Sequence, residues 1–343
     1  MASGTSSANF LGAGLNPAMG ANRSAKVFDV AMKRLATNFS TTKTYKLDFT
    51  KNVGAYIPIY SSGSPQPASV TYDYQKHAMQ SVNMLDQKQY SIQRVTSGFE
   101  LSERTEMQFT KASLGDPMAR AANWITEGYR LHRENQFIGI LVYSATGRTA
   151  TAPVGPSDQL PFLDLTTADG QPLFSSAGHT YLGSPTVLNI NMPSSILTPS
   201  HDTVKDVNVA FGSMTTDTGV RLRSEIKEIW CSIDQKTDWD EVLKNITDVN
   251  LTNSATKNPS VDFVGVKREA VMMNLLPNQT SIFNSTLCDE DPQMYRIVFV
   301  KMTDIEITRN MDGDRRVKSV WADSYERIMN AFRGEGFYCS YNA

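Results

Sequence analysis

The sequence is poor in the residues from which reactive centres are usually built. Only three cysteines occur in 343 residues, at Cys231, Cys288 and Cys339. An odd, scattered set supplies neither a disulfide framework nor the paired spacing of a zinc site, so reduced and buried thiols are expected, as in a protein made inside a cell. The four histidines, His77, His132, His179 and His201, stand singly. There is no His-Glu-x-x-His pair, no nucleophile elbow and no phosphate-cradling loop ending in Gly-Lys. Net charge is small as well. The 33 basic and 35 acidic residues leave −2, which argues against a dedicated nucleic-acid binder. Long apolar runs are missing, so no segment suits a membrane span. Residues 1–20 lack the basic start and apolar run of a signal peptide. The six Asn-x-Ser/Thr triplets, at Asn22, Asn38, Asn245, Asn250, Asn278 and Asn284, then read as the chance yield of an Asn- and Thr-rich chain.

What is present describes a globular protein of mixed class. Hydrophobic residues at 40% and charged residues at 20% favour a packed core over disorder. Residues 1–22 are polar and Gly-rich and read as an arm, followed by a short helix capped by Ser24, with Phe28, Ala31, Met32 and Leu35 on one face. From Asn22 to Lys46, six basic residues (Arg23, Lys26, Lys33, Arg34, Lys43 and Lys46) oppose Asp29 alone, a local charge of 6 − 1 = +5. A solvated helix face is the plainer reading, and contact with nucleic acid or an acidic neighbour the sharper one. Alternation over 44–50 predicts a strand with Tyr45, Leu47 and Phe49 on one face. Further strands are predicted over 53–60, where Pro58 implies an edge, and over 69–74 and 89–95. Few of these residues have core character, so 44–100 reads as a projecting ribbon.

The clearest element is a helix from Asp116, a cap followed by Pro117, to about Val142. Its stripe is Met118, Ala121, Ala122, Ile125, Tyr129, His132, Gln136 and Ile140, with Arg130 and Glu134 spaced for an i,i+4 pair. After a polar stretch over 144–168, Thr198-Pro199 opens a second amphipathic helix with Val204, Val207, Phe211 and Met214 in phase. A turn at Asp217-Thr-Gly219, a buried strand over 226–233 and a helix over 236–249 carrying Trp239, Val242, Leu243 and Ile246 follow. Strands are predicted over 263–266, 295–301 and 304–309, the last ending in a tight turn at Asp312-Gly313. Beyond Ser324, the spacing of Tyr325, Ile328, Met329 and Phe332 favours a helix on propensity, although the segment also tolerates a strand. Helices and strands intermix, so the class is α+β.

No residue is assigned to catalysis, to a cofactor or to a metal. Asp289-Glu290-Asp291 has the charge to hold a cation, but such a run before Pro292 is more often a solvated turn. Asp312-Gly-Asp314 lacks the remainder of a calcium loop and reads as a hairpin turn.

The order of landmarks resembles the major capsid proteins of tailed bacteriophages, in particular the Mu-like branch of the Hong Kong 97-like fold. A ribbon leads through Gly98-Phe-Glu-Leu-Ser-Glu-Arg-Thr-Glu106 into the helix at Asp116-Pro-Met-Ala-Arg-Ala-Ala-Asn-Trp124, with Glu134-Asn135 before the apolar end Ile138-Gly-Ile-Leu-Val142. Asp169-Gly-Gln-Pro-Leu-Phe-Ser175 with His179, and Arg333-Gly334-Glu-Gly336-Phe-Tyr338, resemble two further family stretches. The resemblance implies an N-terminal arm over 1–43 and an E-loop over 44–100. It implies a P-domain with the spine helix over 101–160, an A-domain over 161–294 and a return to the P-domain over 295–343. It also implies strands at the C-terminal segment, and that implication is followed over propensity. The implied function is self-assembly into pentamers and hexamers of an icosahedral shell, without catalysis. The implied partners are other copies of the chain, portal, scaffold and decoration proteins and packaged double-stranded DNA, with no membrane. The implied location is the virion, after synthesis in the bacterial cytoplasm. An encapsulin-like compartment shell is the second reading, and a hydrolase using the acidic residues near Asp289 or Asp312 the third.

Overall fold

A computed structural model of the chain describes residues 42–48, 56–62, 84–102, 104, 108, 117–145, 163–181, 184–244, 267–270, 281–303, 305–312 and 317–340. The expected helix after Ser24, the strands over 69–74 and 263–266, and the cap at Asp116 lie outside the described residues. The chain divides into two compact units. The first gathers 1–55, 91–136 and 299–328, and the second 56–90, 137–298 and 329–343. Both are mixed, so the class is α+β.

The described part of the first unit is built on a five-stranded sheet. Strands β1 (Tyr45–Asp48), β4 (Gln93–Ser102), β10 (Val298–Lys301), β11 (Glu306–Asp312) and β12 (Val317–Met329) take part. The order is β1-β10-β12-β11, and β4 also pairs with β12. Strand β12 is antiparallel to both β11, with Asp312 opposite Val317, and β4, with Val95 opposite Ser324. The turn predicted at Asp312-Gly313 falls between these strands, and Gly313 lies outside the described residues. Strand β1 alternates as predicted, with Lys46 and Asp48 exposed and Tyr45 and Leu47 half-buried.

The helix favoured by propensity after Ser324 is not formed. Residues Val320, Ala322, Ser324, Glu326 and Ile328 are buried at every second position, so the segment is a central strand. Glu326 hides this alternation in the sequence, because a carboxylate rarely occupies a core position. Here Arg133 makes it permissible. Its guanidinium donates to both Glu326 oxygens, at 2.7 and 2.6 Å, and stacks 4.9 Å from the centroid of Phe299. The strand expectation drawn from the family resemblance holds.

The long helix α1 spans Pro117–Ala145, 29 residues or about 43 Å. Residues 117–136 belong to the first unit and 137–145 to the second. In the first, Ala122, Ile125 and Tyr129 pack on Val95, Val320 and Ala322. The Tyr129 hydroxyl lies 2.9 Å from the Val95 carbonyl oxygen and 3.1 Å from that of Ala322, pinning the helix to both strands. Of the predicted stripe, Ala121, Gln136 and Ile140 are also buried, His132 is half-buried, and the Met118 side chain lies outside the description. Arg130 pairs with Glu127 three residues earlier, donating through Nε at 2.8 Å, with Glu134 adding to its electrostatic field.

In the second unit a four-stranded sheet runs β13-β9-β7-β8. Its strands are β7 (Ile226–Cys231), β8 (Lys267–Ala270), β9 (Ser281–Ser285) and β13 (Phe337–Cys339). Strands β7 and β8 are parallel, the other pairs antiparallel. One face packs on helices α2 (His201–Ser213) and α3 (Ile233–Lys244) through Val204, Val207, Phe211, Trp239 and Leu243 against Ile229, Phe283 and Tyr338. The phase predicted for α2 is correct, and its cap is Ser200, which accepts from the Thr203 amide at 3.1 Å. Helix α3 begins three residues before the predicted start. On the sheet's other face Trp230 stacks between Phe137 of α1 and Phe337, with centroids 5.5 and 5.9 Å away. Burial on both faces accounts for the three consecutive apolar residues Ile229, Trp230 and Cys231 that end β7. Two short helical turns, α4 (Leu287–Glu290) and α5 (Pro292–Tyr295), precede β10, so Tyr295 is helical rather than the start of a strand. The two-stranded sheet β2–β3 (Tyr56–Ser62, Met84–Ser91) and the antiparallel pair β5–β6 (His179–Tyr181, Ser184–Asn189) are further described parts of the chain.

The reading that few residues of 44–100 have core character needs one qualification. Val95 sits in the core of the first unit, and Asp86 and Lys88 are buried in the second. Lys88 and Asp86 look peripheral in the sequence because their counter-charges are far along the chain.

Replacing Arg133 by Leu would strand the Glu326 carboxylate in the core. The expected loss is about 3–5 kcal/mol of unfolding free energy, and Arg133→Leu with Glu326→Leu should recover most of it. Urea unfolding of the two variants measures both. A single-variant loss below about 1 kcal/mol would mean that the pair behaves as a solvated one.

Candidate functional site

The residues singled out for chemistry are mostly spoken for by structure. His77 and Gly313-Asp314 lie outside the described residues. His132 and His201 are half-buried and far apart in sequence, and burial lowers the pKa of His132. Asp289 is ion-paired to Lys227 and Arg296, and Asp291 caps α5 by accepting from the Met294 amide. The acidic run is therefore a cap and an ion-pair node, as the turn reading expected. Cys231, Cys288 and Cys339 are free and buried. Burial pushes the Cys288 thiol up to about 12, and its Sγ lies 3.2 Å from the Gly336 carbonyl oxygen. Among the described residues no group of three or more His, Cys, Asp or Glu is placed to hold a metal ion, and no helix is long and apolar enough to cross a membrane.

What the structure does bring together is a buried set of charges in the second unit, and its members include both short motifs that carry the family resemblance. The turn over 167–171 is tied by Asp169, whose Oδ1 accepts from the Gln171 amide at 3.2 Å and from the Thr167 hydroxyl. Gly170 takes φ +79° there, a left-handed conformation that glycine adopts without strain. The Asp169 Oδ2 accepts from the Thr180 amide at 3.2 Å and faces His179 Nδ1 at 3.0 Å. The other ring nitrogen, Nε2, faces the Leu173 carbonyl oxygen at 3.1 Å. Burial opposes charge on both partners, but their mutual attraction prevails. It lowers the Asp169 carboxyl far below the usual range and, with Glu335, raises His179 above the ordinary histidine value.

The second motif closes over this pair. Arg333 donates to Asp86 at 2.6 Å and to Glu335 at 2.8 Å, and its guanidinium lies 3.7 Å from the Tyr181 ring centroid. Lys88 Nζ donates to the Thr166 and Asn330 carbonyls, at 2.6 and 3.2 Å, and lies 2.8 Å from an Asp164 oxygen. Asn191 bridges the two motifs: its Nδ2 donates to the carbonyls of Leu173 and Gly334, at 2.7 and 2.9 Å. The Arg-Gly-Glu-Gly spacing has a steric cause. A Cβ on Gly334 would stand 2.2 Å from His179 Nε2, and one on Gly336 would stand 2.8 Å from the Tyr295 backbone oxygen. Both positions require the missing side chain for close approach.

In the sequence these motifs stand only as separate landmarks. His179 goes with the Asp169 stretch, and nothing local connects it to Arg333 or Glu335. The only signal was compositional: charged residues inside otherwise apolar stretches demand buried partners. A second feature also went unread, the apolar side chains left on the surface, Trp124 (64% exposed) and Leu131 (45%) in the first unit and Leu188 (53%) and Ile190 (45%) in the second.

No family model and no curated protein matches the chain. Solved structures do. The capsid of a native GTA particle aligns at 9% identity over 88% of this chain and 89% of that one, with a TM-score of 0.49. The capsid of Ralstonia phage GP4 aligns at 11% identity over 88% and 87%, with a TM-score of 0.48. The holo-SrpI encapsulin complex from Synechococcus elongatus PCC 7942 aligns at 9% identity over 90% and 89%, with a TM-score of 0.47.

Substituting Gly334 by Ala should cost about 1–3 kcal/mol through overpacking against the His179 ring. On the acid side, Asp169 and Glu335 both have folded pKa values below their unfolded ones. Their contribution is present above about pH 4 and is lost as the pH falls through the folded values. Thermal unfolding of the wild type and Asp169→Asn between about pH 2 and 6 tests this, with a shallower acid limb expected in the variant. Superimposable limbs would remove Asp169 from the account.

Proposed function

We propose that the chain is the major capsid subunit of a tailed bacteriophage, of the Hong Kong 97-like fold. It would assemble into pentamers and hexamers of an icosahedral shell around double-stranded DNA, and would have no catalytic role. The observation that carries this reading is the packing of Asp169–His179 against Arg333–Gly336. The two stretches that resemble the capsid family lie over 150 residues apart in sequence and form one buried structural unit, as elements of a common fold would. The long α1 helix backed by the β4 and β12 strands supports the expected spine-helix P-domain, 101–160 with its return over 295–343, and the α2/α3 sheet supports an A-domain over 161–294.

In this reading residues 1–43 form an arm and 44–100 an E-loop contributing to contacts between subunits. The +5 patch of Arg23, Lys26, Lys33, Arg34, Lys43 and Lys46 faces the packaged DNA, an interaction that is non-specific and weakened by salt. Portal, scaffold and decoration proteins are further partners, and the virion is the location, after synthesis in the bacterial cytoplasm. Assembly proceeds by many modest contacts that closure multiplies.

Electron microscopy of the purified protein, expressed alone and with its neighbouring phage genes, tests the reading. Closed shells or ring-shaped capsomers are expected, and particles from the full gene set should contain DNA. A monomer that stays monomeric under both conditions overturns it, and shells that instead retain a specific protein cargo transfer the case to an encapsulin-like compartment. Deleting residues 52–71 should leave a cooperatively folded protein that forms no shells. Global unfolding on deletion would place the ribbon in the core instead.

A further inference from the structure

The buried charge set contains one group whose ionisation the hydrogen-bond geometry fixes by itself. The Leu173 carbonyl oxygen can only accept, so His179 Nε2, 3.1 Å away, carries a proton. Each oxygen of Asp169 accepts from an obligate donor, Oδ1 from the Gln171 amide and Oδ2 from the Thr180 amide, while the single Thr167 hydroxyl proton is shared between Oδ1 and the Gln171 carbonyl oxygen 2.9 Å away. A carboxylate so surrounded is ionised, and His179 Nδ1, 3.0 Å from Oδ2, is then also an N–H donor. The ring is almost wholly buried, at 1% exposure, and the Gly334 backbone lies against it, so there is no room to turn away. The charged groups that face it are Asp169 from the turn and Glu335 and Arg333 from the segment 329–340.

That segment is held to the 163–175 stretch by two direct hydrogen bonds and one side-chain bridge. The Ala168 amide donates to the Phe332 carbonyl at 2.9 Å, Asn330 Nδ2 donates to the Leu165 carbonyl at 2.9 Å, and Asn191 joins Leu173 to Gly334. All twelve of its residues are buried, and its β13 strand covers one edge of β9. We infer that His179 is an imidazolium latch: its charged ring fixes the 163–175 turn against the 329–340 strap, and loss of one ring proton loosens the strap. A neutral ring must point a lone pair at either the Leu173 carbonyl or the Asp169 carboxylate, acceptor against acceptor. Removing that cation also leaves Asp169 and Glu335 with less positive charge in a buried site. Because the folded pKa of His179 is raised, the latch is complete below the unfolded value near 6.5 and is lost as the pH rises through the folded value. This inference stands apart from the capsid reading and would hold for any function of the chain.

The test uses the full-length protein and amide hydrogen exchange read by mass spectrometry, corrected for intrinsic rates. Between about pH 7 and pH 9.5, residues 163–175 and 329–340 should lose protection on the order of tenfold, while 117–136 and 306–312 keep theirs. In His179→Gln, which keeps a donor but no charge, the loss should already be present at pH 7 and should not deepen with pH. Equal loss across the chain, or none in the strap, overturns the latch, and the wild-type comparison decides this even where the variant does not fold. Nitrogen-15 NMR of histidine-labelled protein gives a separate measure. Two N–H groups on the His179 ring at pH 7 are expected, and a single-proton tautomer refutes the inference.

Discussion

Seven ionisable side chains buried in the second unit set the terms on which it folds. Asp86, Lys88, Asp164, Asp169, His179, Arg333 and Glu335 come from three separate stretches of chain. An ion taken out of water without a partner costs several kcal/mol, so no stretch can dock alone in its final place. Strand β3 brings Asp86 and Lys88, the loop over 163–181 brings Asp164, Asp169 and His179, and the strap brings Arg333 and Glu335. Only their joint arrival gives Asp164 and Asp86 their cations, Lys88 and Arg333. The apolar face beneath it, where Phe337 meets Trp230 and Trp230 meets Phe137, is non-directional and would accept other registers. The charges select one.

The first unit uses the same device on a smaller scale. Its core of Val95, Ala122, Ile125, Tyr129, Val320 and Ala322 supplies most of the burial. Two directional contacts then fix the helix on the sheet, the Tyr129 hydroxyl on two strand carbonyls and the Arg133–Glu326 fork. A one-residue slip of β12 would turn Glu326 away from Arg133 and move Val320 and Ala322 off the core face, because side chains alternate along a strand.

Much of this was readable from the sequence, and the rest was hidden for a physical reason. Helix α2 was found by period because Val204, Val207 and Phe211 are buried on one side only. Helix α1 is legible because Ala121, Ala122, Ile125 and Tyr129 keep one face after the Asp116-Pro117 start, although His132 and Gln136 interrupt the stripe further on. Strand β12 was missed by propensity because two of its five inward residues, Ser324 and Glu326, are polar. Their burial depends on partners that periodicity does not see, and only the resemblance to a known family corrected the reading. The charge set was missed for the same reason. His179 and Glu335 are 156 positions apart (335 − 179), and neither carries a local sign that it is buried. The glycines next to them, Gly334 and Gly336, made a recognisable motif without revealing that the first exists to admit a histidine ring.

Counting the charges explains why they act as one unit. With His179 protonated there are three cations, Lys88, His179 and Arg333, and four anions, Asp86, Asp164, Asp169 and Glu335. The sum is −1. Neutralising any cation takes it to −2 in a site where charges are weakly screened, whereas removing a cation and an anion together leaves the sum unchanged. Single substitutions therefore report the stranded partner as much as the residue removed, and their effects cannot add. Arg333 is the extreme case. It answers two carboxylates and an aromatic face at once, so its removal strands Asp86 and Glu335 together, and lysine, lacking the planar fork, cannot take its place. The strap is specific to its groove because Arg333, held in place by Glu335 two residues along the same strap, answers Asp86, which arrives from a distant part of the chain.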